Sequence, residues 1–103
     1  MRILNITFSI DPSVEDEFVF YVKGTLLPLL SQKGSLLRIR SDANTHPTYG
    51  LQIECETEKA FQDFKDAPLA SIYQAMHTKF PNKWVSFDTV LIFCFKHFFV
   101  HVY

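Results

Sequence analysis

The segment from Arg2 to Ile10 alternates strictly between two sets of side chains. The first set is Leu4, Ile6, Phe8 and Ile10, and the second is Ile3, Asn5, Thr7 and Ser9. A period of two with one wholly apolar set predicts a half-buried β-strand. Such a strand needs a sheet with one covered face and one open face, which is typical of antiparallel sheets.

The patterns that follow predict two helices and three more strands. We expect a first helix over 13–25, strands over 36–41 and 48–56, a second helix over 57–80 that Pro68 either kinks or restarts, and a fourth strand from Trp84. Ser13 with Asp16 predicts a capping box, and Thr57 predicts an N-cap. The order β-α-β-β-α-β predicts an α+β ferredoxin-like sandwich, with both helices on one face of a four-stranded antiparallel sheet.

The alternation also predicts which side chains of strands two to four face the helices. The expected inward set is Leu37, Ile39, Tyr49, Leu51, Ile53, Cys55, Val85, Phe87, Leu91 and Phe93. The expected outward set includes Leu36, Arg38, Arg40, Glu54, Ser86, Asp88, Val90 and Ile92. The predicted core is Ile6, Phe8, Phe18, Val22, Leu51, Ile53, Ile72, Met76 and Phe87.

Charge argues against whole classes of partner. Ten basic and eleven acidic residues leave a net charge of −1. Nucleic-acid binding depends largely on a basic excess, which this chain lacks, and a basic membrane-binding helix is missing for the same reason. At 48% hydrophobic residues the chain is not disordered.

The two cysteines, Cys55 and Cys94, do not form a CxxC motif. The N-terminus lacks the apolar core of a signal peptide. Both observations predict a reducing, cytoplasmic location. Strand parity places the two thiols on opposite faces, so we expect them to stay reduced.

Several short motifs together resemble a group of short bacterial proteins known only as a domain of unknown function. They are Asn5, Thr7 and Ile10-Asp11, then Pro28, Tyr49-Gly50-Leu51-Gln52, Ala67-Pro68, His77-x-x-Phe80 and Phe87-x-Thr89-x-Leu91. The resemblance covers residues 1–92 and implies a ferredoxin-like fold of the dimeric α+β-barrel type, without an established activity. Thr25-Leu26-Leu27 stands where the group has a histidine, so no role of that histidine is carried over.

Candidate ligand-binding residues lie on the predicted outward face. Arg38 and Arg40 would hold an anionic ligand through charge-assisted hydrogen bonds in a space between two sheets, with Glu54 and Asp88 beside them. The alternative, which we favour, is that the arginines form exposed cross-strand ion pairs with Glu54.

Other chemistry has little support in the sequence. His77 is expected to cap or pack at the end of the second helix. His97 and His101 are too few for a zinc site, so we predict no metal and no cofactor. No nucleophile elbow or glycine-rich phosphate loop is present, and no catalytic residue is assigned. Tyr49 is expected to point towards the helices, which argues against an RNA-binding aromatic platform.

The last residues are strongly apolar. We divide the chain into a domain over 1–94 and an apolar tail over 95–103, which is too short to span a membrane. An uncovered strand of this kind would aggregate, so the tail is expected to join a homodimer interface or else to fold back, either along its own sheet or over the helices.

Three functions therefore remain open. The favoured one is a non-catalytic homodimer, with a small ligand between its sheets as an added possibility. The second is a cofactor-independent enzyme that uses Arg38, Arg40 or Asp88. The third is a protein-interaction module whose tail adds a strand to the sheet of another chain.

Overall fold

The structure, a computed structural model, describes residues 1–39, 46–94 and 97–102, and its description of side chains ends at Ile92. The strands are β1 (Arg2–Ile10), β2 (Gly34–Ile39), β3 (Thr48–Cys55), β4 (Trp84–Cys94) and β5 (His97–Val102). The helices are α1 (Glu15–Tyr21), α2 (Leu27–Leu29), α3 (Glu58–Asp66) and α4 (Pro68–Lys79). A 3-10 turn (Pro12–Val14) precedes α1, and a π-helical turn (Val22–Leu26) joins α1 to α2.

The strands form one antiparallel sheet in the order β2-β3-β1-β4-β5. With β1 and β3 at the centre of the first four strands, the predicted α+β fold and its β-α-β-β-α-β order are confirmed. The predicted second helix is divided at Ala67, because Pro68 begins α4 and cannot donate a backbone hydrogen bond into α3.

The core lies between the helices and one face of this sheet. The predicted core residues Ile6, Phe8, Phe18, Val22, Leu51, Ile53, Ile72 and Met76 are all buried. Phe18 is central, since its ring packs against Phe8, Tyr49 and Phe80 at centroid distances of 5.5, 5.5 and 6.3 Å. The helices and the inward sides of the central strands therefore form a single hydrophobic layer.

Two strands present the face opposite to the one predicted. In β2, Leu36 packs against the core, whereas Leu37 and Ile39 are exposed on the other face. In β4, Val90 and Ile92 lie on the helix side, whereas Val85 and Phe87 are exposed. The prediction that Phe87 is a core residue is therefore wrong.

The reason is pairing with the central strands. Leu36 is opposite Leu51 and Val90 is opposite Leu4, and residues directly opposite in an antiparallel pair share a face. Both β2 and β4 carry apolar residues in each alternating set, so their own pattern does not specify which set is inward.

Residues 97–102 of the tail form β5, which pairs with β4 from Thr89↔Val102 to Cys94↔His97. β4 is therefore not an edge strand, because β5 pairs with the side of its backbone that β1 leaves free. Folding back along the sheet, one of the arrangements expected for the tail, is observed for residues 97–102. The predicted opposite placement of the Cys94 thiol lies outside the described side chains.

The helix caps differ in part from the prediction. Thr57 caps α3 as expected, since its Oγ1 accepts a hydrogen bond from the Ala60 amide at 3.0 Å. Before the first helix, Asp11 caps the 3-10 turn, and its Oδ1 accepts from the amide and the hydroxyl of Ser13 at 2.9 and 2.7 Å, whereas α1 itself begins after Val14 without a side-chain cap. These hydrogen bonds lower the pKa of the Asp11 carboxyl. The predicted capping box that starts at Ser13 is replaced by this Asp11 cap.

Candidate functional site

The sheet face that no helix covers, called here the open face, has a trough between two ridges. Its described residues are Ser35, Leu37 and Ile39 of β2, Thr48, Gly50, Gln52 and Glu54 of β3, Ile3, Asn5, Thr7 and Ser9 of β1, and Val85, Phe87, Thr89 and Leu91 of β4. The two central strands supply mostly polar side chains, and the positions between the ridges are the small residues Thr7, Ser9, Thr48 and Gly50. The flanking strands supply the large apolar ones.

A hydrogen-bonded polar row occupies the middle of the trough. The Asn5 Nδ2 donates to Thr7 Oγ1 at 3.0 Å and to Thr89 Oγ1 at 3.3 Å, and both threonines are buried. Gly50 makes room for this row, because a Cβ there would lie 3.0 Å from Asn5 Oδ1. Asn5 and Thr7 were predicted on this face, whereas Thr89 was missed because only pairing with β1 orients β4.

The ridges expose apolar surface. Leu37 and Ile39 on β2 are 47% and 42% exposed, and Val85 and Phe87 on β4 are 69% and 58% exposed. Among the described side chains of the open face, only Glu54 is charged, and its carboxylate lies 3.8 Å from the Lys33 ammonium. A nearly uncharged face with two apolar ridges is the kind of surface that an assembly covers.

The predicted ligand-binding residues do not converge. Glu54 lies on the open face, but Arg38 and Asp88 lie on the helix side, contrary to the prediction. Arg38 and Asp88 are three strand spacings apart, about 14 Å. Arg40 lies outside the described residues. An anion site that joins these four residues between two sheets is therefore not formed by the residues that the structure describes.

Arg38 instead borders a cleft of about 560 Å³ between α1 and the β2 edge, called here the helix-side cleft. The cleft is lined by Glu15, Asp16, Val19, Phe20, Lys23, Gly24, Arg38 and Tyr49. The Tyr49 hydroxyl donates to Glu15 Oε2 at 2.6 Å, and Arg38 Nη2 lies 3.6 Å from the same oxygen. The predicted inward orientation of Tyr49 is confirmed, whereas its acidic partner was missed because the two residues are far apart in sequence.

Asp88 belongs to a packed cluster on the other side of the core. It accepts a hydrogen bond from the Tyr73 hydroxyl, and burial, reinforced by this carboxylate, raises the pKa of Tyr73. The Trp84 ring stacks on Tyr73 at 6.0 Å and contacts the His77 ring at 4.9 Å. Asp88 and His77 therefore both join β4 to α4, which agrees with the packing role expected for His77.

Three further features bear on function: the Cys55 thiol, clusters of metal-ligating side chains and membrane-spanning helices. The Cys55 thiol is buried, and burial raises its pKa, which disfavours the reactive thiolate. In residues 1–39, 46–94 and 97–102, no three His, Cys, Asp or Glu side chains are placed to share a metal ion. Over the same residues, no helix is long and apolar enough to cross a bilayer.

The Tyr49 contact predicts a measurable alkaline transition. Burial, with the Glu15 carboxylate beside the hydroxyl, raises the pKa of Tyr49 to about 12. In the unfolded chain, tyrosine ionises at about pH 10. The contribution of Tyr49 to stability is therefore complete below pH 10 and is lost as the pH rises towards 12. We expect Tyr49→Phe to flatten the pH dependence of the unfolding free energy in this interval.

The same variant gives a direct measurement of the ionisation. Subtracting the phenolate absorbance titration of Tyr49→Phe from that of the unchanged protein should leave one transition with a midpoint near pH 12. A midpoint near pH 10 would contradict the buried, Glu15-bonded position of the hydroxyl. Phenylalanine keeps the ring contact with Phe18, so loss of packing does not confuse the comparison.

The sequence was compared with known proteins and protein families to establish which family this chain belongs to. No curated protein matches this chain. A family model described as a domain of unknown function, DUF4286, matches residues 1–92. The match ends within β4 and includes both the open face and the helix-side cleft. Because it covers most of the chain, the protein belongs to the DUF4286 family, a family of unknown function.

Proposed function

We propose that the protein functions as a non-catalytic homodimer whose two copies meet through their open faces. The observation that carries the proposal is the pair of exposed apolar ridges on a sheet face with a single charged side chain among its described residues. Directly between the ridges, Thr7, Ser9, Thr48 and Gly50 are small, so this part of the trough can receive a ridge of the second copy. One self-complementary surface would then cover both sheets.

Burial of the ridges supplies the driving force. Complete burial of an aliphatic or aromatic side chain contributes roughly 1.5–3 kcal/mol. Leu37, Ile39, Val85 and Phe87 are each about half exposed, so covering them in one copy contributes about 3–6 kcal/mol before the entropic cost of association.

Charge and hydrogen bonding favour a second copy over a charged partner. The open face offers a nucleic acid or an acidic protein almost nothing to pair with, whereas two such faces meet with little like-charge repulsion. In the polar row, Asn5 Nδ2 already donates to the hydroxyls of Thr7 and Thr89, so these groups keep hydrogen-bond partners when a second copy covers them.

The same residues support a non-catalytic role. Glu54, at one end of the open face, is its single ionisable group within the described residues, so the face has no opposed acid and base. The enzyme alternative relied on Arg38, Arg40 or Asp88. Arg38 is turned to Glu15 and Asp88 to Tyr73, on opposite sides of the core.

Sedimentation velocity on matched variants tests the proposal. In a two-fold pair, Phe87→Glu would place a charge in the β4 ridge of both copies. We expect it to weaken dimerisation roughly 100-fold, which corresponds to ~2.7 kcal/mol. Phe20→Glu is the matched control, because Phe20 is 82% exposed on α1 and lies on the opposite side of the sheet. That variant should dimerise like the unchanged protein. Circular dichroism confirms that each variant is folded.

Two results would reject the proposal. The first is a full-length protein that remains monomeric at tens of micromolar. The second is a dimer that Phe20→Glu dissociates and Phe87→Glu leaves intact, which would assign the interface to the helix side.

A further inference from the structure

The helix-side cleft combines an apolar lining with charges of both signs. Val19, Phe20 and the ring of Tyr49 supply the apolar part, Lys23 and Arg38 supply two cations, and Glu15 and Asp16 supply two carboxylates. Phe20 is the most exposed large apolar side chain among the described residues. A cleft in which one exposed aromatic ring lies close to two cations suits a ligand that is apolar at one end and anionic at the other.

Arg38 retains donors for such an anion. Its side chain is 67% exposed, and its ion-pair partner is Glu15 at 3.6 Å, a separation longer than a charge-assisted hydrogen bond. The Glu15 oxygen already accepts the Tyr49 hydroxyl at 2.6 Å. The planar guanidinium can therefore still present a pair of N–H groups to a carboxylate in the cleft.

Gly24 leaves part of the cleft lining without a side chain. A Cβ at this position would meet nothing within 4 Å, so packing does not require glycine there. Glycine in a helical segment costs roughly 1 kcal/mol relative to alanine. The effect of Gly24 is that the backbone next to Phe20 is exposed in the cleft without a side chain. It lies in the π-helical turn Val22–Leu26, and π-helical turns occur frequently at functional sites.

We infer that the helix-side cleft binds a small aromatic monocarboxylate. The carboxylate accepts paired hydrogen bonds from Arg38 and is attracted by Lys23. The aromatic ring lies against Phe20 and Val19, over the bare backbone of Gly24. The carboxylates of Glu15 and Asp16 also border the cleft, so a polyanion such as a nucleotide is repelled where a single negative charge is accommodated.

A titration with phenylacetate, followed by amide chemical shifts in nuclear magnetic resonance, tests the inference on the full chain. The expected shifts centre on residues 19–24 and on Arg38 and Tyr49. Phenylacetamide has the same ring without the charge and should bind about tenfold more weakly, since it loses the charge-assisted pair. Inorganic phosphate should bind more weakly than phenylacetate because it lacks the ring.

Three variants locate the site. Arg38→Gln should weaken phenylacetate binding about tenfold, because the paired charged donors are lost. Gly24→Leu should abolish binding by filling the wall, while its higher helix propensity keeps the fold at least as stable. Arg2→Gln is the matched control, because Arg2 pairs with Glu58 away from the cleft, and it should leave binding unchanged.

The outcomes separate ligand binding in the cleft from dimerisation through the open face. Phe87→Glu should bind phenylacetate normally even when dimerisation is lost, because the open face and the cleft lie on opposite sides of the sheet. The inference is overturned by the absence of shifts at millimolar phenylacetate, by shifts confined to the open face, or by equal binding to Arg38→Gln and the unchanged protein.

Discussion

Replacing Phe8 with alanine is expected to lower the free energy of unfolding by about 3–5 kcal/mol, the usual cost of removing a buried phenylalanine ring. Phe8 has no exposed surface, and its ring contacts Phe18 at 5.5 Å and Trp84 at 5.7 Å. It lies on the central strand β1, where its ring is enclosed by Phe18 from the helix layer and by Trp84 from β4. Neighbouring side chains therefore have little freedom to fill the space. Small domains have a total stability of about 5–15 kcal/mol, so the loss is a large share of the whole.

Urea denaturation of Phe8→Ala beside Phe20→Ala measures this effect. The control removes the same ring from an exposed position on α1, and we expect it to change stability by less than about 0.5 kcal/mol. A Phe8→Ala protein that melts within a degree or two of the unchanged chain would show that β1 does not present Phe8 to the core.

Removing residues 95–103, so that the chain ends at Cys94, is the second change with a large expected effect. The six residue pairs between β4 and β5 would be lost. At roughly 0.2–1 kcal/mol for each cross-strand pair, the expected loss of stability is about 1–6 kcal/mol. The deletion also frees the backbone donors and acceptors along one side of β4, and such an edge promotes association between sheets.

Thermal melting and the concentration dependence of sedimentation measure both consequences. A chain that ends at Val102 keeps all of β5 and serves as the control. We expect the shorter chain to melt earlier and to form irregular, higher-order species, whereas the control should match the full chain. Equal melting temperatures and equal solubility for the two deletions would contradict the pairing of β5 with β4.

Regular local patterns were enough to predict the centre of this fold. In β1 and β3 the large apolar side chains fall mainly in one alternating set, so a helix-covered sheet has a single way to bury them. The same is true of Phe18 and Val22 on the first helical segment and of Ile72 and Met76 on α4. Thr57 was predictable as a cap because capping is a contact with residues close in sequence.

The flanking strands were not predictable in this way. In β2 and β4 both alternating sets of side chains contain apolar residues, so burial of either set would satisfy the local pattern. The two sets are Leu36 and Leu37 in β2, and Val90 with Ile92 and Val85 with Phe87 in β4. Pairing with Leu51 and Leu4 selects the set that meets the helices. This selection moves Arg38 and Asp88 off the open face and Thr89 onto it.

The sequence by itself determined the order of the elements, the identity of the central strands and most of the core, because these follow from periodicity within single segments. Only the tertiary structure decided which side chains share a surface. The polar row of Asn5, Thr7 and Thr89, the contact between Glu15 and Tyr49, and the pairing of β5 with β4 each depend on how separate segments align. That alignment is set by hydrogen-bond register between neighbouring strands and by packing of the helices, and a shift of one residue would reverse every face.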